Sequence, residues 1–433
     1  MSTFSSPSSA VWLKGTMKGT TPKEKYRRCC GMDVHKETVV VCVLAPDGEE
    51  GKPLKKVYGT FRNDLGRMRG WLKQLKVTEI AMESTGVYWR PVWNVLEGHG
   101  FHLILANPKQ VKALHGRKSD KRDSQRIAEF LQDRRIDPSF VPPPELRRLR
   151  DLLRYRVSLL EQQNETHNKI RDLFETANIK LSSVASDLLG VTGQKIMEAL
   201  IAGETPPNRL SWKVKGSLRK KEKEVRQSLA GCFDEFHRQM LELLWKQYKF
   251  LSGQIEQVET KTRREMEPHG ELIELLDGVP GIDEMVAWTL IAEMGTDMGV
   301  FPTTGHVASW AGMCPGTNES AGRQMSTKTR KGNRYLRRAL LEAAWAATRK
   351  KNSYLRAFFY RLMYRKGWGK AIVALGHKLL VIAYGILKTR IPYYELGADY
   401  YDQLNPEKTI QRLVRRLGKL GVEIVITPKE ANA

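Results

Sequence analysis

Short apolar runs separated by polar turns open the ordered part of the chain. Gly31–Val34 and Thr38–Leu44 are rich in β-branched and apolar residues, which predicts two strands. The polar residues His35–Glu37 between them predict a tight turn or bulge. Val57–Phe61 predicts a third strand, so the domain is expected to begin with consecutive β-strands.

Strand and helix patterns then alternate. Asn63 is expected to cap a helix that continues to Leu75. A strand, a helix and a further strand are predicted at Glu79–Met82, Tyr88–Glu97 and Phe101–Ala106. A last helix contains Asp120 and Asp123 and is supported by an apolar side that includes Ile127. This ββ-β-α-β-α-β-α order predicts a mixed sheet with helices packed on it, which suits a ribonuclease-H-like α/β fold.

The pattern changes after the prolines at 142–144. Long polar helices with apolar stripes are predicted from Glu145 to about Glu175 and from about Lys220 to Glu267, with a loop at Thr205–Trp212 between them. Apolar residues recur every seven positions in both helices: Leu146, Leu153 and Leu160, then Leu244, Leu251 and Val258. This spacing predicts an antiparallel coiled coil that serves as a spacer or a dimer interface, with direct nucleic-acid contact as the alternative role.

Charge and cysteine content narrow the function classes. Lys and Arg number 72 against 48 Asp and Glu, a formal net charge of +24, which indicates a polyanionic partner. The longest apolar stretch, Ala371–Leu387, contains His377 and Lys378 and predicts a buried helix, so no membrane partner is expected. The five cysteines lack CxxC spacing, which predicts a reducing cytosol and neither a zinc site nor a disulfide framework.

Four carboxylates set among these cations are candidate metal ligands. Asp33 lies inside an apolar strand, and Glu83 ends a later strand. Asp120 and Asp123 are spaced i, i+3 and share one helix face. An ionised carboxylate in an apolar strand is costly to bury without a cation or another partner. The four carboxylates could hold Mg²⁺ or Mn²⁺ for phosphodiester chemistry, and the alternative for the helical pair is a surface salt-bridge face.

Two further segments carry candidate nucleic-acid contacts. Gly278 and Gly281 form a turn before a helix whose backbone N–H groups could bind a phosphate, although a plain turn between helices fits equally well. Ser320 lies in a glycine-rich segment and could be a nucleophile aimed at phosphate, with Ser326 and Thr327 as alternatives. A dense set of polar and basic candidates for DNA contact follows: Arg323, Lys328, Arg330, Lys331, Asn333, Arg334, Arg337 and Arg338. The alternative is a flexible loop with a basic DNA-contact helix.

In this order the motifs resemble the bridge-RNA-guided insertion-sequence recombinases, also described as DEDD transposases. The matching segments are Gly-Met-Asp33-Val-His-Lys, Met-Glu83-Ser-Thr-Gly-Val-Tyr-Trp, Lys-Ser-Asp120-Lys-Arg-Asp123, Gly278-Val-Pro-Gly281-Ile, and Pro315 to Arg337 with Ser320-Ala-Gly and Lys331-Gly-Asn-Arg. The chain departs from the family pattern in small ways. Ser119 stands where threonine is more usual, Ser124 where alanine is, and Ala321 where some members have a second serine.

The resemblance implies a fold, a site and a reaction. It implies a domain like the RuvC resolvase with a metal-binding tetrad of Asp33, Glu83, Asp120 and Asp123, and a C-terminal transposase domain with Ser320 as covalent nucleophile. The site would be composite, joining the metal domain of one subunit to the serine of another in a dimer or tetramer. The reaction would exchange strands of donor and target DNA through a phosphoserine link, guided by an element-encoded RNA and without a nucleotide cofactor.

The expected division of the chain follows from these assignments. Its segments are 1–27, a disordered basic tail; 28–144, the RuvC-like metal-binding domain; 145–270, the coiled coil and oligomerisation region; 271–395, the helical transposase domain; and 396–433, a basic tail with a possible strand at Val422–Ile426. The expected location is the bacterial cytoplasm, at the nucleoid.

Two other classes remain open from the residues. A structure-selective nuclease such as a junction resolvase would need the four acids but not Ser320. A non-catalytic nucleic-acid-binding protein would need the basic surface and neither site. The positive charge fits a recombinase, a nuclease and a binding protein equally well. Variants at Ser320 and Asp33 would distinguish these three classes.

Overall fold

The computed structural model describes residues 25–46, 52–83, 86–106, 120–185, 187–204, 216–316, 319–320, 323–324 and 328–424. The chain forms two compact units that meet in sequence between Val141 and Pro142. Nearly all of the N-terminal segment predicted to be disordered, and all of the predicted Thr205–Trp212 loop, lie outside the described residues.

Unit 1 is built on a five-stranded mixed sheet. Its strands are β1 Cys29–Val34, β2 Thr38–Leu44, β3 Leu54–Gly59, β4 Glu79–Glu83 and β5 His102–Ala106. Their order in the sheet is β3-β2-β1-β4-β5, with β1 antiparallel to β2 and parallel to β4. The turn after β1 is closed by a hydrogen bond from the His35 N–H to the Thr38 carbonyl, 2.9 Å. The predicted mixed sheet is confirmed.

Three helices of unit 1 pack beside this sheet: α1 Arg62–Gln74, α2 Trp89–Leu96 and α3 Asp120–Gln132. The expected cap at Asn63 is wrong, because α1 begins at Arg62 and Phe61 holds the N-cap position without a side-chain hydrogen bond. An earlier start lets the Phe61 carbonyl accept a hydrogen bond from the Leu65 N–H at 3.0 Å, as Leu65 enters the core.

The central strand β1 is buried on both faces, and its alternating side chains enter different clusters. Cys30, Met32 and Val34 belong to the main core, which includes residues of α1 and α2. Cys29 joins a second cluster that contains Ile127 of α3. Odd-numbered residues of β1 therefore face α3, and Asp33 is one of them.

Unit 2 contains two long helices that lie side by side. These are α4 Pro144–Thr176 and α8 Glu235–Met266. They run antiparallel, because Arg156 bonds Glu259 (Nε to Oε1, 2.6 Å) while Gln163 bonds Ser252 (Nε2 to Oγ, 2.9 Å). Their shared apolar cluster consists of Leu159, Leu251, Ile255 and Val258, with Leu152 and Leu160 partly buried beside it.

The helix expected from Lys220 to Glu267 is interrupted. The chain forms a 3₁₀ turn at Gly216–Lys221 and α7 at Glu222–Ser228 before α8 begins after its cap, Asp234. The break has a packing cause, because a Cβ at Gly231 would lie 2.3 Å from the Ala177 carbonyl oxygen. Two helices that the sequence patterns did not predict, α5 Leu181–Val184 and α6 Val191–Ile201, fill the region between the long helices.

The rest of unit 2 is mostly helical. Its helices are α9 Gly270–Asp277, α10 Glu284–Met294, α11 Thr304–Ala311, α12 Arg334–Ala347, α13 Tyr354–Lys366, α14 Trp368–Thr389, α15 Tyr400–Gln403 and α16 Pro406–Gly418, with 3₁₀ turns at Glu267–His269 and Met298–Val300 and short strands β6 Glu319–Ser320 and β7 Arg323–Gln324. The segment expected to be a basic tail thus contains α16. Val422–Ile424 form no strand, and the last two residues of that expected strand lie outside the described residues.

Helix α14 is the one helix in the described chain that is long and apolar enough to cross a membrane. Its residues Ala371, Leu375 and Leu379 are fully buried, and it packs against α12 and α13. In the structure it is a core helix of unit 2, in agreement with the interpretation of Ala371–Leu387 as buried.

Candidate active site

Asp33 and Glu83 end neighbouring parallel strands. Met32 of β1 is paired with Met82 of β4, so the two acidic residues follow at the same edge of the sheet. Asp33 is 9% exposed, and its position on β1 directs it to the face covered by α3. The sheet register therefore places both carboxylates beside the helix that carries Asp120 and Asp123.

Gly31 allows α3 to lie directly on β1. A Cβ at this position would be 2.3 Å from both the Ala128 nitrogen and the Ser124 carbonyl oxygen, so no larger residue fits without moving the helix. Gly31 and Asp33 share a face of β1, and the close approach brings Asp123, which precedes Ser124, towards that face. Sequence reasoning quoted this glycine in a motif but did not predict its role.

Burial and two neighbouring carboxylates affect the ionisation of Asp33. Burial raises the pKa of Asp33 above its usual value, and the negative charges of Glu83 and Asp123 raise it further. His35 opposes this effect through its Nε2, 3.1 Å from the Asp33 Oδ2, and lowers the same pKa. Like charges that converge at a partly buried position are stabilised by a cation between them.

Carboxylate oxygens are the ligands that a hard divalent cation prefers. Asp33, Glu83 and Asp123 would hold it, together with Asp120, which begins α3 one turn before Asp123 and whose side chain lies outside the described residues. Among the described side chains alone, no group of three or more His, Cys, Asp or Glu is arranged as a metal site. Asp123 is also 3.3 Å from Arg126 (Oδ1 to Nη1).

We expect Gly31→Ala to destabilise unit 1 by about 1–3 kcal/mol and to reduce Mg²⁺ affinity, because the added methyl group must push α3 away from β1. Thermal unfolding with and without Mg²⁺ measures both effects. Gly66→Ala in α1 is the matched control, since no atom lies within 4 Å of its Cβ position, and it should stabilise by about 0.5–1 kcal/mol. Equal behaviour of the two variants would contradict the close approach.

Ser124, which follows the candidate ligand Asp123, is fully buried, and its Oγ has no hydrogen-bond partner among the described residues. Ser124→Ala removes an unsatisfied buried hydroxyl, so we expect about 1 kcal/mol of added stability in urea unfolding. Ser228→Ala is the control, because the Ser228 Oγ donates to the Val225 carbonyl at 2.8 Å and no such gain is expected. A loss of stability in Ser124→Ala would mean that the hydroxyl is satisfied.

Ser320 lies in a two-stranded antiparallel ribbon of unit 2. Ser320 is paired with Arg323, and the residue before the serine is paired with the residue after the arginine. The ribbon continues towards its base, where the Gly316 N–H donates to the Lys328 carbonyl at 2.9 Å and the Arg330 N–H to the Cys314 carbonyl at 3.2 Å. Ser320 therefore lies opposite Arg323 in the backbone pairing, and we refer to the ribbon and its base as the hairpin. Ser326 and Thr327 lie outside the described residues.

The base of this hairpin is fixed to α12. Gly312 has a left-handed φ of 69°, and a Cβ on Gly332 would lie 2.2 Å from the Gly312 nitrogen, so the two chain segments touch through their backbones. The Arg337 Nη1 donates to the Gly312 carbonyl and to the Thr329 Oγ1, both at 2.6 Å. Arg337, a predicted DNA contact, thus holds the hairpin base together.

A buried ion cluster fixes the start of α12. Glu293 is 2% exposed and bonds Arg154 through both carboxylate oxygens, at 2.8 and 2.9 Å, and Arg150 at 3.0 Å. It also accepts from the Asn333 Nδ2 at 2.6 Å, while the Asn333 Oδ1 caps α12 by accepting from the N–H of Tyr335 at 3.1 Å. Removing one partner of such a buried pair is strongly destabilising. Glu293 was not predicted from the sequence, because nothing near it in the chain indicates that Arg154 and Asn333 bond to it.

The other predicted nucleic-acid contacts differ in their surroundings. Arg338 pairs with Glu161 and Glu342. Gly281 has a φ of 94°, and its Cβ position would be 2.3 Å from the Ala343 carbonyl oxygen of α12, which indicates a packing role. Asp283 caps the helix after this turn, and a phosphate there would meet its carboxylate. The segment with Gly278 and Gly281 is therefore better explained as a plain turn between helices than as a phosphate-binding turn.

Comparisons with known proteins agree with this architecture. A family profile described as a transposase, DEDD_Tnp_IS110, matches residues 30–179, and one described as Transposase IS116/IS110/IS902 family matches residues 273–360. The transposase for insertion sequence element IS1533 of Leptospira borgpetersenii is 29% identical over 157 residues. That alignment covers 35% of this chain and 44% of the relative, so the chain spans less than half of the relative's length.

Both matched regions define the chain as a protein with transposase domains. The descriptions of both profiles name IS110, so the chain contains two regions that are similar to transposases of this family.

Proposed function

We propose that this protein is a DNA recombinase that moves an insertion sequence, using a metal-binding carboxylate site in unit 1 and Ser320 in unit 2. The observation that carries the proposal is the register of β1 and β4, which places Asp33 and Glu83 at one edge of the sheet, on the side covered by the helix of Asp123. Burial raises the pKa of Asp33, and the charges of Glu83 and Asp123 raise it further. The order Asp33, Glu83, Asp120, Asp123 also agrees with the letters DEDD in the name of the matched family.

A divalent cation, when bound, would supply positive charge for phosphate activation. The carboxylates would hold that charge at the edge of the sheet where β1 and β4 end. His35, bonded to Asp33, would keep this carboxylate oriented. The resulting site fits a scissile phosphate better than a small neutral substrate, because the rest of the chain carries an excess of cations.

In the proposed reaction the Ser320 Oγ attacks a scissile phosphorus. The Oγ–P bond forms as the bond from phosphorus to the departing deoxyribose oxygen breaks, and the proton of the hydroxyl passes to that oxygen. The reverse reaction with a different strand end completes strand exchange, so the number of phosphodiester bonds is conserved. The backbone pairing of Ser320 with Arg323 supports this role, because it places a basic residue, the type that stabilises phosphate charge, opposite the serine in the ribbon.

Donor and target DNA are the proposed substrates, with Mg²⁺ or Mn²⁺ as the cofactor. We further propose that an element-encoded RNA selects the DNA by base pairing, which leaves the protein to bind shape and backbone. Assembly as a dimer or tetramer would let the carboxylates of one subunit meet the serine of another. The basic composition and the antiparallel pair α4 and α8 are compatible with these partners.

A suicide-substrate assay tests the proposal. Purified protein is incubated with its element RNA, Mg²⁺ and nicked target DNA, and covalent protein–DNA adducts are located on denaturing gels and by peptide mapping. An adduct on the peptide containing Ser320, formed with Mg²⁺ and lost in EDTA, is the expected result. Strand cleavage without any adduct would indicate a hydrolytic nuclease, and the absence of both would indicate a binding protein.

A further inference from the structure

A long segment of unit 2 carries positive charge without any internal acid. Positions 343–394 contain eleven Lys and Arg and no Asp or Glu. They include the end of α12 and all of α13 and α14. Within the part of the chain that the structure describes, no ion pair joins a cation of this segment to a carboxylate. The segment therefore presents uncompensated positive charge, which favours a polyanion.

The same segment exposes aromatic rings that would be expected in a core. Trp345 of α12 and Trp368 of α14 are 45% and 41% exposed, and their ring centroids are 3.9 Å apart. On α13, Tyr364 is 83% exposed and Tyr360 lies one turn before it. We refer to Trp345, Tyr360, Tyr364 and Trp368 as the aromatic platform.

Buried packing holds the platform in place. The ring of Phe359, which is almost fully buried, contacts Trp368 at 6.3 Å and Tyr360 at 5.3 Å between centroids. The Arg356 guanidinium lies over the Tyr360 ring, 5.4 Å from its centroid. These contacts connect Trp345, Trp368 and Tyr360, which come from three helices, and the exposed Tyr364 follows Tyr360 by one turn of α13.

Cations border the exposed rings. Arg361 and Arg365 each follow a platform tyrosine by one residue on α13, and Lys366 and Lys370 flank Trp368. All four of these side chains are exposed. Aromatic faces bordered by cations are the usual surface for a nucleic-acid strand whose bases are unpaired, because the bases stack on the rings while the cations contact phosphates.

We propose that the aromatic platform binds unpaired bases of single-stranded RNA. This inference rests on the proposed function for the identity of the strand: the two DNA substrates are duplexes with paired bases, whereas a folded RNA offers loops and unpaired ends. It goes beyond that function by assigning the RNA a binding surface formed by residues of α12, α13 and α14. Duplex DNA can contact the bordering cations but cannot present base faces to the rings.

A membrane surface is the other partner that exposed tryptophans and cations can indicate. Trp368 begins the apolar helix α14, but Ala371 and Leu375 of that helix are fully buried in unit 2. These apolar side chains pack within unit 2, which favours a nucleic-acid partner over a membrane.

The test measures fluorescence anisotropy of a labelled, unstructured RNA oligonucleotide with the full chain. Tyr364→Ala should weaken RNA binding about tenfold, as expected for the loss of one stacked base, while Tyr364→Phe should bind as the unaltered protein does. Tyr155→Ala is the matched control, because Tyr155 is 49% exposed on α4, outside the platform, and its RNA affinity should not change. Circular dichroism confirms that each variant is folded.

The proposal also predicts that Tyr364→Ala weakens the binding of single-stranded RNA more than the binding of duplex DNA. Blunt duplex DNA should lose less than about twofold in affinity in Tyr364→Ala, because its contact with the protein depends on cations and not on stacking. Unchanged RNA binding in Tyr364→Ala, or equal losses for RNA and duplex, would overturn the proposal. Stronger binding of single-stranded DNA than RNA would assign the platform to a displaced DNA strand, and competition by anionic phospholipid vesicles would assign it to a membrane. The assay requires no strand cleavage, so its result is independent of whether a Ser320 adduct forms.

Discussion

Asp33→Asn is expected to reduce metal-dependent strand cleavage by about a thousandfold or more, since removal of a charged ligand weakens the cation that stabilises the reacting phosphate. The position of the side chain explains why the loss should be large. Asp33 lies one residue before the end of the central strand. Burial, His35, Glu83 and Asp123 all affect its pKa, so no neighbouring acid can take its place without moving the sheet. Cleavage is measured on nicked DNA with Mg²⁺ at saturating protein.

The same variant separates a metal ligand from a structural acid. Without metal, Asp33→Asn should unfold at the same temperature as the unaltered protein or higher, because it removes a partly buried charge that Glu83 and Asp123 oppose. With Mg²⁺, only the unaltered protein should gain stability, because a ligand that binds the folded state raises the unfolding temperature. Asp64→Asn, which removes an acid on α1 that pairs with Arg67, is the control and should keep its Mg²⁺ response. Retained cleavage in Asp33→Asn would refute the metal assignment.

Ser320→Ala is expected to abolish both the covalent adduct and strand exchange, because alanine has no nucleophilic oxygen. Binding of DNA and RNA should remain within about twofold, since one hydroxyl contributes little to a contact dominated by phosphate charge. Adduct formation is measured on the suicide substrate, and affinity by anisotropy. Loss of the adduct with retained binding would assign the chemistry to this hydroxyl.

Ser326→Ala and Thr327→Ala are the matched controls, because these hydroxyls lie in the same segment between the ribbon and the basic run. Both should still form the adduct. An adduct that persists in Ser320→Ala and disappears in one of the controls would move the nucleophile to that position. Full cleavage in all three variants would instead support hydrolysis by water.

Local patterns predicted much of unit 1. The β-branched runs before and after His35–Glu37 gave β1 and β2, and the order of strands and helices gave the mixed sheet. The prediction of Asn63 as the N-cap was wrong, because the start of α1 depends on where Leu65 meets the core and not on the residue with the best capping side chain. The prediction of one continuous helix from Lys220 was also wrong because of tertiary packing. The chain must leave the helix where Gly231 closely approaches the end of α4.

The sequence by itself determined the residue types of the candidate site: acids at the ends of strands and on one helix face, and a serine before a basic run. These depend on short-range spacing, which the chain shows directly. Only the tertiary structure decided that Gly31 lets α3 touch β1, that Glu293 joins Arg154 to Asn333, and that the rings of Trp345 and Trp368 meet. Each of these is a contact between residues far apart in the chain, and such contacts depend on packing that no local pattern encodes.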